Sequence, residues 1–178
     1  MNILAFAAST SSTSINKALA SYAAQQLAQR VAEPQVTLLD LNQFNLPLFS
    51  EDVEKEIGQA QDAANFLQQI AQADVLIISF AEHNGSYTAA YKNLFDWASR
   101  INPQVFQNTP AIYLATSPGP GGAQNVLAQA VASAGYFGAD VKASLSIPNF
   151  YDNFDLATGQ LSQADLAEQV VQLVEMLL

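Results

Sequence analysis

Five short apolar runs recur along the chain: Ile3 to Ala8, Gln35 to Leu39, Val75 to Phe80, Ala111 to Thr116 and Val141 to Ile147. A stretch of helical period follows each. Continuous apolarity over such lengths reads as strands buried on both faces, the pattern of a parallel sheet covered by helices. The intervening repeats fall at helical spacing: Ile15, Leu19, Tyr22, Ala23 and Leu27 in the first, Ala63, Phe66, Leu67 and Ile70 in the second. Tyr91, Leu94, Phe95 and Ala98 make the third, Val126, Leu127, Ala130 and Val131 the fourth, and Leu166, Val170, Leu173, Val174 and Leu177 the fifth. Strand and helix alternating five times predict an α/β fold, a doubly wound parallel sheet with helices on both faces. Five strands favour the order 2-1-3-4-5 over the longer dinucleotide-binding arrangement.

No linker or internal repeat divides the pattern, so residues 1–178 are expected to form one domain, long enough to bury about 70% of the unfolded surface. Two longer loops interrupt it, "DLNQFNLPLFSED" and "SIPNFYDNFDLATG". Their aromatics and prolines predict packed surface loops, and "FYDNFD" is read as packing in preference to shaping a pocket. With 6 Lys+Arg against 16 Asp+Glu, the surface repels phosphate backbones and anionic lipid heads, which sets nucleic acid and membranes aside as partners. The absence of cysteine removes disulfides and thiolate chemistry, and one histidine cannot build a multi-histidine metal site. No run approaches the roughly 20 apolar residues that a membrane span needs, and the start of the chain has no basic lead. A cytoplasmic protein is expected.

In an open sheet of this order, ligands bind beyond the carboxyl ends of strands one and three, where the order reverses. The loop after strand one, Ser9 to Asn16, reads "STSSTSIN"; every residue except Ile15 carries a hydroxyl or an amide. One serine there would be an ordinary helix cap, but a cap needs a single hydroxyl and this loop has six. A helix start with free N–H groups and small donors suits a phosphate. There is no Gly-x-Gly-x-x-Gly and no Walker lysine, which argues against a Rossmann site or a P-loop.

After strand three comes "EHNGS", Glu82 to Ser86. A plain Asn-Gly turn accounts for Asn84 and Gly85 but leaves Glu82 and Ser86 without a role. A flat heteroaromatic ligand needs backbone donors close by and a glycine that permits approach, and this turn supplies both. His83 is assigned no proton-transfer role. After strand four, "TSPGPGGAQN" gives a tight glycine loop able to lie against a planar ligand, or simply to join strand to helix. Together the three loops call for a ligand with a phosphate at one end and a hydrogen-bonding ring at the other. FMN has that form, and a flavodoxin-like strand order places it at this switch point.

The combination of "EHNGSYTAAYKNLFDW" with the serine loop resembles the NADPH-dependent FMN reductase family, which includes quinone, azo-dye and chromate reductases. The resemblance covers essentially the whole chain. It rests on Ser9, Ser14 and Asn16, on Glu82, Asn84, Gly85 and Ser86, on Lys92, Asn93, Asp96 and Trp97, and on Ser117, Gly119, Gly121 and Gly122. It implies FMN held by Ser9, Ser11, Ser14, Ile15 and Asn16 around the phosphate. Glu82, His83, Asn84, Gly85 and Ser86 would lie along the isoalloxazine, with Ser117, Pro118, Gly119 and Gly122 near its other side. It further implies NAD(P)H as donor, a small-molecule electron acceptor, and a homodimer or homotetramer with the Lys92 to Ser99 helix near an interface.

The chain departs from the family pattern where Ser11 replaces a first-loop arginine, His83 a tyrosine and Ala81 a proline. The glycine loop is one residue short, with Pro120 where an arginine often sits. These changes predict weaker FMN affinity and a weaker preference for NADPH over NADH. An alternative of a different class is a flavodoxin-like electron carrier without nicotinamide activity, whose acidity would suit a basic partner. A phosphorylated receiver module is excluded, because Ala7, Ala8 and Ser9, then Ala81 and Glu82, stand where its acidic residues belong.

Overall fold

A computed structural model describes residues 1–178. In chain order the elements begin β1 (Asn2–Ala7), α1 (Ile15–Ala28), β2 (Gln35–Leu39), α2 (Glu51–Ile57), α3 (Gln61–Ala71) and β3 (Val75–Phe80). A two-strand hairpin follows, β4 (Glu82–His83) and β5 (Ser86–Tyr87), then α4 (Ala89–Ile101), β6 (Pro110–Thr116) and α5 (Gln124–Ala134). The last part holds β7 (Asp140–Ile147), α6 (Phe150–Asn153), a second hairpin of β8 (Phe154–Asp155) and β9 (Gln160–Leu161), and α7 (Ala164–Glu175).

The main sheet runs β2-β1-β3-β6-β7 with every neighbouring pair parallel, which is the order 2-1-3-4-5 once the hairpins are left aside. It is an α/β, flavodoxin-like sheet. The three inner strands are apolar throughout because both faces are covered. Leu4, Phe6, Leu76, Ile78 and Tyr113 face the layer of α3, α4 and α5. Ile3, Ala5, Ile77, Ile112 and Leu114 face α1 and α7. Each side-chain set follows the period of two that a strand imposes.

The expectation that all five strands are buried on both faces is corrected at the edges. In β2 only Leu39 is buried, and Val36 and Leu38 remain 40% and 45% exposed. In β7, Lys142 and Ser144 point to solvent. An edge strand has one neighbour, and the helix layers do not extend fully over it. The helix α2 and both hairpins add to the predicted elements. No residue of α2 is fully buried; its short apolar stripe is Val53, half-buried beside Trp97, and Ile57, 50% exposed one turn on.

Local chemistry starts the helices. Ser14 Oγ accepts from Lys17 N–H at 3.2 Å to open α1, Ser50 Oγ accepts from Val53 N–H to open α2, and Thr88 Oγ1 accepts from Tyr91 N–H to open α4. The long loop before α2 is packed, as expected. Trp97 Nε1 donates to Pro47 O at 2.8 Å, Asn93 Nδ2 donates to the same oxygen, and Phe49 stands edge-on to the Trp97 ring at 5.2 Å. Trp97 is therefore a core residue, fastening its own chain's loop to α4. No helix is long and apolar enough to cross a membrane.

Candidate functional site

Beyond the carboxyl ends of β1, β3 and β6 lies an open cleft of about 310 Å³. Ser9, Ser11, Ser14, Ile15, Asn16, Glu82, His83, Ser117 and Pro118 all line it, so nine residues expected from three separate loops meet in one place. Thr13, Ala81, Thr116 and Tyr151 complete the lining. Asn84, Gly85 and Ser86 lie past the lining in the hairpin, and Gly119 and Gly122 lie outside it in the glycine loop.

Asn16 explains why the cleft forms here. Its side chain is buried, 2% exposed, and its amide pairs with the last residue of β6 much as another strand would. Nδ2 donates to Thr116 O at 3.1 Å, and Oδ1 accepts from Thr116 N–H at 3.1 Å and from Ser79 Oγ at 2.8 Å. One amide thus ties the first turn of α1 to the ends of β3 and β6. Because the side chain is engaged, the group Asn16 offers the cleft is its backbone N–H. That N–H and the one on Ile15 have no partner within the protein, as expected for a first helical turn. The preceding corner is held as firmly: Ala8 N–H donates to Ser79 O at 2.9 Å and Thr88 Oγ1 donates to Ala8 O at 2.9 Å.

The far side of the serine loop is fixed by a surface network. Lys17 Nζ lies 2.8 Å from Asp40 Oδ2, and Asn42 donates from its N–H to Asp40 Oδ1 and from Nδ2 to Thr10 O. The hydrogen bond from Lys17, helped by the Asn42 N–H, holds the Asp40 carboxyl down to about 2. No lysine or arginine lines the cleft, so an anion there would meet hydroxyls, free amides and the α1 dipole.

The hairpin answers why so many polar groups crowd one corner. Asn84 and Gly85 have φ of 53° and 78°, as a two-residue turn between twisted strands requires. Glu82, which pairs with Tyr87, turns its carboxylate to the start of α5. Its Oε2 accepts from Val126 N–H at 2.9 Å and its Oε1 from Asn125 Nδ2 at 3.3 Å. This supplies the cap that α5 lacks, since Ala123 has no capping side chain. Ser86 Oγ donates to Gln129 Oε1 at 3.0 Å, also on α5. The two residues that a plain turn left without a role therefore dock the hairpin. The Asn84 and Gly85 N–H groups stay unpaired at its tip.

The glycine loop is fastened from behind. Ser117 O accepts from Phe150 N–H and Gly119 O accepts from Asn149 N–H, both at 3.0 Å. Gly122, expected beside a ligand, has a structural reason of its own to be glycine. It is buried with φ of 57°, and a Cβ would strike Ser146 Oγ and crowd Pro148 N, so packing against β7 demands glycine. In the "FYDNFD" segment, Phe150 and Phe154 are buried and stacked at 4.8 Å, as the packing reading expected. Tyr151 between them is 62% exposed and stands at the cleft's rim, a placement with no periodic signal in the sequence.

The profile of the NADPH-dependent FMN reductase family matches residues 1–152. The chain is 35% identical over 97 residues to an NAD(P)H-dependent FMN reductase of Pseudomonas aeruginosa, covering 54% of this chain and 52% of that one. It is 30% identical over 125 residues to an NADPH:quinone oxidoreductase of Arabidopsis thaliana, covering 70% and 62%. The matched segments thus span half to three-fifths of those relatives' lengths. Among solved structures, the flavoenzyme NAD(P)H:(acceptor) oxidoreductase FerB of Paracoccus denitrificans superposes with a TM-score of 0.74 at 23% identity, covering 99% of this chain and 94% of that one. An FMN-dependent NADH-azoreductase of Bacillus anthracis, solved in complex with FMN, gives 0.65 at 13% identity, covering 98% and 95%. The last two likenesses concern the fold.

Proposed function

Because the chain belongs to the NADPH-dependent FMN reductase family, we propose that it is an FMN-dependent oxidoreductase passing electrons from NADPH or NADH to a flavin, quinone or similar small acceptor. The observation that carries this reading is the convergence of the three loops on the cleft at the strand-order reversal, with unpaired N–H groups at the start of α1. Bound FMN would supply two-electron chemistry that no side chain here can perform. The residues present fit that cofactor. Ser9, Ser11 and Ser14, with the Ile15 and Asn16 amides, form a neutral cradle for its phosphate. The backbone of Glu82 to Ser86 offers donors along the ring, while Ser117, Pro118 and Gly119 close the opposite side.

The chain's part is to bind and orient. Asn16 and Glu82 act from behind, one holding the phosphate cradle to the sheet and the other holding the hairpin to α5. Tyr151 lies where a second planar molecule would enter. A homodimer or homotetramer is part of the same reading, supported by Ile57 at the end of α2, which is 50% exposed, and by Leu48 before it, which is 81% exposed.

The test is the visible spectrum of the FMN-reconstituted protein, recorded without oxygen before and after NADPH and then NADH. Rapid bleaching supports the reductase and identifies its donor. Flavin that stays oxidised with both, yet is reduced by a partner reductase, makes the protein an electron carrier. Failure to retain FMN overturns the assignment of the cleft.

A further inference from the structure

Every lysine and arginine of the chain is already ion-paired. Lys17, Arg30, Lys55, Lys92, Arg100 and Lys142 are the only six, and each lies 2.6 to 3.6 Å from a carboxylate. Ten of the sixteen Asp and Glu side chains have no such partner, and the formal net charge is -10. The cleft follows the whole. No lysine or arginine lines it, and its one acidic residue, Glu82, is met only by neutral donors, the Val126 N–H and the Asn125 amide. Lys17, on the first turn of α1, is turned to Asp40. A ring-walled hollow of about 230 Å³ between α4, α5 and the β4–β5 hairpin offers no counter-charge either, since Lys92 on its edge is held by Asp96 at 2.7 Å. A second copy of the chain would bring the same paired cations.

We propose that the cleft takes phosphate without a counter-charge, so that the protein's own field opposes each phosphate on a partner molecule: FMN is held more tightly as salt rises, and NADH is preferred to NADPH. This inference rests on the reading of the cleft as an FMN site. A phosphate monoester carries about -1.5 to -2 charge at neutral pH. The hydroxyls and free amides at the start of α1 satisfy its oxygens, and the helix dipole favours it, but these act only at contact. The unpaired carboxylates act from further away. At about 0.01 M salt the screening length is about 30 Å, and the field of the whole molecule reaches the cleft. At about 0.15 M it is about 8 Å, which removes most of that repulsion while screening the short contacts of the cradle much less. The usual sign is thereby reversed, because a phosphate held by lysine or arginine is weakened by salt. NADPH differs from NADH by one more phosphate, on a ribose. Wherever that phosphate rests, no unpaired lysine or arginine stands ready to receive it.

The experiment is titration of the flavin-free full chain with FMN and with riboflavin, read by quenching of flavin fluorescence, in sodium chloride from about 0.01 to about 0.5 M. The buffer is held near pH 8, above the ordinary imidazole range of about 6.5, so that no histidine charge enters. The Kd of FMN should fall by about three- to tenfold across the series. That of riboflavin, which has the ring without the phosphate, should not change. Ser11→Arg places a guanidinium on the cleft's lining. It should tighten FMN at low salt, flatten or invert the salt dependence, and leave riboflavin as in the parent. With FMN bound, NADH at low concentration should reduce the flavin faster than NADPH at low salt, and the gap should narrow as salt rises. FMN that weakens with salt, riboflavin that follows FMN, or a Ser11→Arg slope equal to the parent's overturns the inference while leaving FMN in the cleft. So does NADPH as the faster donor at low salt. A chain that retains neither flavin at any salt sinks the FMN reading itself, and the inference with it.

Discussion

The cleft at the strand ends and the cavity between α4 and α5 share the β4–β5 hairpin as a wall. Glu82 and His83 line the first, and Tyr87, the cross-strand partner of Glu82, lines the second. The cleft is shaped by backbone: free amides at Ile15 and Asn16 within it, and those of Asn84 and Gly85 past its lining at the hairpin tip, set in place by side chains that point elsewhere. The cavity is shaped by rings from β3, β5, α4, β6 and the segments around them. The first region teaches that polar residues crowded at a site need not face its ligand. Asn16 and Glu82 carry the motif's chemistry, yet each is engaged in building the wall. The second teaches that an aromatic core can enclose space with a polar group left over.

The hardest blow to this contrast is Asn16→Ala. It leaves the Thr116 N–H and C=O and the Ser79 hydroxyl without partners, and each unmet buried group costs about 1–3 kcal/mol. We expect a loss of about 3–5 kcal/mol in urea unfolding, with FMN retention falling as a consequence. A variant of full stability that has lost FMN would instead make the amide a ligand contact. Glu82→Ala comes next. Removing the cap from α5 should cost about 1–2 kcal/mol and lower the melting temperature, while the Asn84–Gly85 turn persists. If stability holds and only flavin affinity changes, the carboxylate faces the ligand after all. On the cavity side the sign reverses. Tyr113→Phe removes an unpaired buried hydroxyl, so the ligand-free protein should gain about 1 kcal/mol. A loss would mean that the hydroxyl already has a partner.

The two regions also differ in how far they can be read from residues alone. The cleft was legible because its parts are contiguous: "STSSTSIN", "EHNGS" and "TSPGPGG" each follow an apolar run, and the strand order brings those ends together. The inner strands were legible for the same reason, since burial on both faces leaves an unbroken apolar run. Edge strands β2 and β7 have apolar residues too, but solvent on one side is a fact about neighbours, not about the run. The roles of Asn16 and Glu82 depend on partners 100 and 44 residues away, so nothing local announces them. The cavity is harder still. Phe80, Tyr91 and Tyr113 sit at ordinary core positions of three elements, and only packing decides that space remains between them.

The smallest expected effect lies on the outer fastening of the serine loop, where Asp40 receives Lys17 and Asn42. Its carboxyl titrates at about 2 in the folded chain, against an ordinary value of 3.8. A group whose folded value is depressed adds stability that is complete above its unfolded value and disappears as pH falls through the folded one. The increment should therefore be present above about pH 4 and be lost between there and about pH 2. The pair is partly exposed, so its contribution is no more than about 1 kcal/mol and shrinks with salt. Asp40→Asn keeps an acceptor for the Asn42 N–H but gives up the ion pair. It should be slightly less stable at neutral pH, and its stability should fall less steeply than the parent's across that acid window in unfolding titrations. An acid limb identical to the parent's would show that Lys17 and Asp40 do not hold the loop, leaving Asn16 as its fastening to the sheet.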